Sequence, residues 1–178
     1  EQNYFPADEE HPAAPLSPYG ISKLAVEKYL FFYKNEYNLN YTVLRYANIY
    51  GPRQNPFGEA GVVAIFSTKL LKGEQPVING DGKQTRDYVF VGDVVRANVA
   101  ALATSHVGGI NIGTGRETDV STICRLLRQN TGSKVEAIHG PAKRGEQTRS
   151  CLQIGLAEKV LGWQPEVAIE QGLQKTVS

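Results

Sequence analysis

Tyr19 and Lys23 stand four residues apart, the spacing that puts two side chains one turn apart on a single helix face. A phenol with its ordinary pKa near ~10 is a poor base at neutral pH, but a neighbouring ammonium stabilises the phenolate and brings it toward the working range. Such a pair can take a proton from a hydroxyl. With nine tyrosines in 178 residues the spacing also arises by chance, and an exposed helical pair is the bland alternative. A second kind of chemistry lies further along. Arg86, Lys143, Arg144 and Arg149 come from separated polar segments. Guanidinium groups hold phosphate oxygens with two parallel donors, so these residues form a candidate anion site, set against the alternative of solvated surface charge. The amides of Gly61 and Val62, at the opening of an expected helix, offer a further anion contact.

Other tempting residues read as structure. His11, His106 and His139 are far apart and lack metal-ligand spacing, so no metal is assigned. Cys124 and Cys151 form neither a CxxC pair nor a disulfide framework. Cys124 beside Ile123 and Leu127 reads as a buried small hydrophobe, and Trp163 beside Gly162 and Pro165 as a packing residue. Gly113-Thr114-Gly115 follows an expected strand, but Thr118 stands where a dinucleotide fingerprint needs its third glycine. No acidic residue ends a second strand about 20 positions later. A tight strand-to-helix turn is the simpler reading.

The elements that must position these residues follow from periodicity and breakers. Residues 1–18 carry Pro6, Pro12, Pro15 and Pro18 and read as an extended loop. Tyr19 to Asn38 reads as a long helix, with Tyr19, Val26, Leu30, Tyr33 and Tyr37 on one face and a second apolar surface around Leu24 and Phe31. Tyr41 to Tyr50 reads as one strand stopped by Gly51-Pro52. A helix over Val62–Leu71, strands at Val77-Ile78 and Asp87–Val91, and a helix capped by Asp93 and running to about Ser105 come next. A strand at Ile110–Ile112, a helix from about Asp119 to Gln129, a strand at Val135–Ile138, and helices near Leu156–Leu161 and from Ile169 complete the pattern. Alternating elements favour an α/β fold with parallel pairing.

Composition sets the outer limits. The chain is 41% hydrophobic and 21% charged, an ordinary globular profile, and its net charge of +1 supplies no field for nucleic acid or an anionic membrane. A compact chain of this mass would expose roughly 8,500 Å². No apolar run approaches the ~18 residues of a membrane span. Glu1-Gln2-Asn3 does not resemble a signal peptide and the chain contains no Met, so it is expected to begin inside a longer protein. With no disulfide framework, a cytoplasmic location is the default.

Several motifs in order point further. Ser17-Pro18-Tyr19-Gly20-Ile21-Ser22-Lys23, Arg45-Tyr46-Ala47-Asn48-Ile49-Tyr50-Gly51-Pro52, Gly80-Asp81-Gly82-Lys83-Gln84-Thr85-Arg86-Asp87-Tyr88, Asn111-Ile112-Gly113-Thr114-Gly115 and Leu161-Gly162-Trp163-Gln164-Pro165 together resemble the extended short-chain dehydrogenase/reductase family. Within it, they resemble the NAD-dependent epimerases and dehydratases of nucleotide sugars, bacterial UDP-glucose 4-epimerases above all. The resemblance implies the C-terminal part of a Rossmann-type α/β fold with a sugar-nucleotide-binding region, its N-terminal dinucleotide fingerprint absent from this chain. Residues 1–58 would end the Rossmann-type core, 59–178 would mainly bind substrate, and segments near 85–112 are candidates to return to the core sheet.

The resemblance also implies roles. Tyr19 would be the base that removes a sugar hydroxyl proton while hydride leaves for NAD, and Lys23 would hold the nicotinamide ribose, so both also touch the cofactor. Asn48, Gly61, Val62 and Arg86 would contact the substrate. The family's Arg-x-Gly-Asp motif maps imperfectly onto Lys143-Arg144-Gly145-Glu146, leaving Lys143 and Arg144 as alternatives for phosphate and Glu146 for the ribose hydroxyls. A catalytic Ser or Thr would precede Glu1, and Ser17 and Ser22 do not replace it. The implied activity is UDP-glucose/UDP-galactose interconversion through a 4-keto sugar by a cytoplasmic homodimer. The fragment alone is expected to be inactive and not to bind NAD. A nucleotide-sugar dehydratase or decarboxylase, and a non-catalytic nucleotide-sugar-binding module, are the rival readings.

Overall fold

The computed structural model describes residues 2–57, 61–143 and 145–178. In chain order the elements are α1 (Pro18–Tyr37), β1 (Thr42–Tyr46), β2 (Asn48–Tyr50), α2 (Val62–Leu71), β3 (Val77–Asn79), β4 (Thr85–Phe90), α3 (Val91–Ala101), β5 (Gly108–Ile112), β6 (Glu117–Asp119), α4 (Val120–Thr131), β7 (Ile138–Gly140), α5 (Gly155–Leu161) and α6 (Ile169–Val177). β1 pairs in parallel with β5, β2 with β4, and β3 with β7, while β6 runs antiparallel to β4. The expected α/β class with parallel pairing is what forms.

β4 explains how two cores fit around one strand. Its side chains alternate, so Tyr88 and Phe90 join a core with Tyr50 and residues of α2, α4 and α6, while Val89 faces a second core of Ile110, Ile112, Ala97, Ala157 and Trp163. Both faces are covered, and every residue from Asp87 to Phe90 is buried. Trp163 is 4% exposed and donates its indole N–H to the Asp93 carbonyl at 2.9 Å, the packing role its neighbours suggested.

Four expectations need correction. The apolar run Tyr41–Tyr50 is two strands, because after Tyr46 the chain leaves β5 and passes through Ala47 to pair with β4. Asp93 is not a cap. It lies inside the first turn of α3, where Oδ1 accepts from Arg96 and Oδ2 accepts from the amides of Glu166 and Val167, and the helix stops at Ala101. The strand expected at Val135–Ile138 forms at Ile138–Gly140, where β3 fixes the register. Gly113–Gly115 leads into the short polar strand β6 before α4 begins, and so is a strand-to-strand turn.

The largest departure concerns α1. Ser17 caps it, accepting from Gly20 N–H at 3.1 Å, and Asn38 ends it in the left-handed region. Yet none of its twenty residues is buried. The expected core stripe is open, with Tyr19, Val26, Tyr33 and Tyr37 between 45% and 70% exposed. The half-buried line is instead Gly20, Leu24, Glu27, Leu30 and Lys34. The whole chain exposes 10818 Å², well above the roughly 8,500 Å² of a compact chain of its mass. No described helix is long and apolar enough to cross a membrane.

Candidate active site

The capped N-terminus of α1 presents Tyr19 and Lys23 on its exposed side, and Lys23 Nζ lies 5.3 Å from the centre of the Tyr19 ring. At that separation the ammonium lies within cation–π reach of the ring. The nearby serines are committed to the helix itself: Ser17 to the cap, and Ser22 Oγ to the Tyr19 carbonyl at 2.7 Å. Lys23 also lines a cleft of about 390 Å³ that includes Glu27, Arg45, Tyr46, Asn111 and the Pro12–Pro15 segment.

A second cluster gathers where the β3–β4 turn meets the loop after β7. Gly80 N–H donates to the Gly140 carbonyl, and Gly80 and Gly82 hold positive φ, which keeps the Asn79–Gln84 turn tight. Arg86 is held in place by its own strand. Its side chain is only 16% exposed, Nη1 donates to the Thr85 carbonyl at 2.7 Å, and Nη2 lies 3.8 Å from Glu146 Oε1. Glu146 N–H closes onto the Lys143 carbonyl through a turn with Gly145 at φ +76°. Lys143 and Glu146 line a cavity of about 440 Å³ with Asn79, Lys83, Gln84 and Arg149. Glu146 thus links Arg86 to the cavity's rim across 60 residues of sequence, while Arg86 itself does not line the cavity. Arg144 lies outside the described residues.

The remaining candidates are placed differently. Arg149 binds Glu117 through two hydrogen bonds, 2.6 and 3.0 Å, and its guanidinium lies 4.2 Å from the Phe5 ring centre. Arg149 and the Thr85 hydroxyl hold the Glu117 carboxyl below its ordinary range. Asn48, exposed, opens β2 in register with Tyr88, so sheet alternation puts it on the face that carries Arg86. Gly61 is the N-cap of α2 with no side-chain cap bond, and Val62 is the first helical residue. Neither Asn48 nor the start of α2 lines either cavity.

The Gly113–Gly115 turn is tied to the strand that carries Arg86. Its outward N–H groups are already taken by Asp87, 1% exposed. Oδ1 accepts from Thr114 N–H at 2.8 Å and from its hydroxyl at 2.6 Å, and Oδ2 accepts from Gly115 N–H at 3.1 Å and Leu152 N–H at 3.3 Å. A Cβ on Gly113 would stand 2.5 Å from Oδ2, so glycine there serves the carboxylate. Burial pushes the Asp87 carboxyl up, against the pull of these donors. Sequence reasoning missed Asp87 as the link between the Arg86 strand and this turn, because its partners lie 27 to 65 positions away. Burial likewise raises the Cys124 thiol and pushes that of Cys151 to about 11, which suits packing residues and not nucleophiles. Among the described residues no cluster of His, Cys, Asp or Glu is arranged to hold a metal ion.

Comparison with known proteins sets this geometry in context. Residues 1–113 match the model of the NAD dependent epimerase/dehydratase family. The UDP-glucose 4-epimerase of Mycolicibacterium smegmatis is 47% identical over 174 residues, covering 97% of this chain and 56% of that protein. The crystal structure of UDP-glucose 4-epimerase with UDP-glucose from Thermotoga maritima superposes with a TM-score of 0.96 at 49% identity, over 99% of this chain and 57% of that one. That of the Thermus thermophilus UDP-glucose 4-epimerase complex with NAD gives 0.90 at 40% identity, over 96% and 56%. The chain thus spans a little over half the length of each of these three relatives. On its family match, its motifs and its α/β arrangement, the chain belongs to the NAD dependent epimerase/dehydratase family.

Proposed function

We propose that this chain supplies the proton-transfer pair and most of the nucleotide-sugar site of a UDP-glucose 4-epimerase. The observation that carries the reading is the Lys23 ammonium 5.3 Å from the Tyr19 ring on the exposed start of α1. Tyr19, with the Lys23 ammonium beside its ring, takes the proton from the sugar hydroxyl and later returns it. NAD, when bound, supplies the acceptor and donor of the sugar's hydride. Of the residues present, Tyr19 and Lys23 fit its nicotinamide ribose, one as acceptor or donor and the other as cation. The Gly113–Gly115 turn does not fit its pyrophosphate, since Asp87 holds those amides. Arg86 and Lys143 hold the diphosphate, Glu146 the ribose hydroxyls, and Asn48 with the amides at Gly61 and Val62 the rest of the substrate. Arg144 remains the alternative to Lys143.

The same reading divides the chain into a core portion at 1–58 and a substrate portion at 59–178, with 85–112 returning to the core. It is supported by the pairing of β4 with β2 and of β5 with β1. The homodimer belongs to the same reading, and the aromatic side of α1, open in this chain, is available for a protein contact. A cytoplasmic location goes with it. The test is Tyr19→Phe in the whole protein. Turnover of UDP-galactose to UDP-glucose should fall at least ~10²-fold with little change in nucleotide-sugar affinity, because the proton acceptor is lost and the phosphate contacts stay. Unchanged turnover would remove Tyr19 from the chemistry.

A further inference from the structure

α1 carries Tyr19 and Lys23, and none of its residues is buried in this chain. Among the described residues, its polar side-chain link to the sheet is Glu27, one turn beyond Lys23. Glu27 Oε1 accepts from Arg45 Nε at 2.9 Å and Oε2 from Arg45 Nη2 at 2.6 Å, a two-pronged pair whose side chains are 23% and 34% exposed. Hydrogen bonding to Glu27 raises the pKa of the Arg45 guanidinium still further. The rest of Arg45 is equally fixed. Nη1 donates to the Glu9 carbonyl at 2.9 Å, and the Glu9 carboxylate accepts from the buried Asn111 amide at 2.8 Å. Beneath the guanidinium lies Gly109, where a Cβ would come within 2.9 Å of Arg45 Cζ and Nε. This is a built seat.

We propose that Glu27 and Arg45 are positioning residues for the reaction, a pin that sets the roll of α1 and so the place of the Tyr19 hydroxyl and the Lys23 ammonium. The proposal rests on the function given above. At 3.6 residues per turn, Lys23 lies about 40° and Tyr19 about 80° around the helix from Glu27, so Glu27 reaches Arg45 of β1 while Lys23 and the exposed Tyr19 lie progressively further round the helix. A side-chain tip some 6 Å from the helix axis moves about 1 Å for a roll of about 10°. A misplacement of that size costs up to about 10² in rate. Two charge-assisted bonds resist such a roll better than one, because a two-pronged contact cannot swivel about a single bond.

The experiment uses the whole protein with its NAD, and reads kcat and KM for UDP-galactose well below the melting temperature of each variant. Glu27→Gln should lower kcat about 10- to 100-fold while KM stays within about twofold. Arg45→Lys, which keeps the cation but loses the fork, should show the same split and serves alone if Glu27→Gln does not fold. A loss confined to KM, or kcat within about twofold of the parent in the folded variants, overturns the pin. Tyr19→Phe runs beside them. If it is crippled while the pin variants are not, only the pin fails. If it turns over normally, the proposed function fails and the pin with it.

Discussion

A Cβ on Gly172 would stand 2.0 Å from Tyr50 Oη, 2.8 Å from Cζ and 3.0 Å from Cε2. Tyr50 is 1% exposed, its hydroxyl has no hydrogen-bond partner among the described residues, and it packs edge-on against Tyr88 and Phe90 at 6.4 and 5.8 Å between ring centres. Gly172→Ala therefore pits two effects against each other. In a helix interior the exchange gains about 1 kcal/mol. Forcing a methyl into a packed core costs about 1–3 kcal/mol, and a ring hemmed by two others puts this site at the upper end. The expected net loss is about 1–2 kcal/mol, or roughly 3–6 °C in melting temperature for a chain of this size. Tyr50→Phe removes the nearest atom and also an unpaired buried hydroxyl, so alone it should be neutral or stabilising. In that background Gly172→Ala should lose about 1 kcal/mol less. Urea unfolding of the four proteins gives the cycle. A Gly172→Ala chain as stable as the parent, or an equal loss in both backgrounds, would refute the argument that this glycine exists to admit the Tyr50 ring.

The anion cluster and the cofactor turn give two further expectations. Arg86→Ala in the whole protein should weaken UDP binding about 10- to 100-fold, the worth of a charge-assisted phosphate contact, whereas Arg116→Ala, exposed in the turn after Gly115, should change it little; equal small losses in a calorimetric titration would take Arg86 out of the site. The 178-residue chain alone should show no NAD binding in the micromolar range, because the Thr114 and Gly115 amides are held by Asp87; micromolar affinity by calorimetry would contradict this.

What could be read from the sequence was what is local. Tyr19 and Lys23 meet because four residues of helix bring them together, and the helix expected from about Asp119 forms from Val120, with Asp119 capping it in the structure through Thr122. The break at Ala47 left no mark in a run of β-branched and aromatic residues, since it arises where two strands find two different partners. β6 was invisible for the same reason: Glu117-Thr118-Asp119 is polar and short, and only β4 makes it a strand. On α1 the apolar residues occur on both sides, so periodicity could find a helix but not choose the side that faces the protein. The anion cluster was legible as residue types through motif resemblance. The contacts that fix it, Arg86 with Glu146 and Asp87 with its turn, span 27 to 65 positions and have no local signature.

One side of β1 has a consequence for handling. β5 covers one edge, and among the described residues no strand covers the other. Thr42-Val43-Leu44-Arg45-Tyr46 contains neither proline nor lysine, and its single charge is turned aside to Glu27. Nothing along that edge discourages another strand from docking. In concentrated solution the isolated chain is thus prone to stick to itself through main-chain amides, and one charged or proline substitution on the outward-facing positions is the natural way to keep it dispersed.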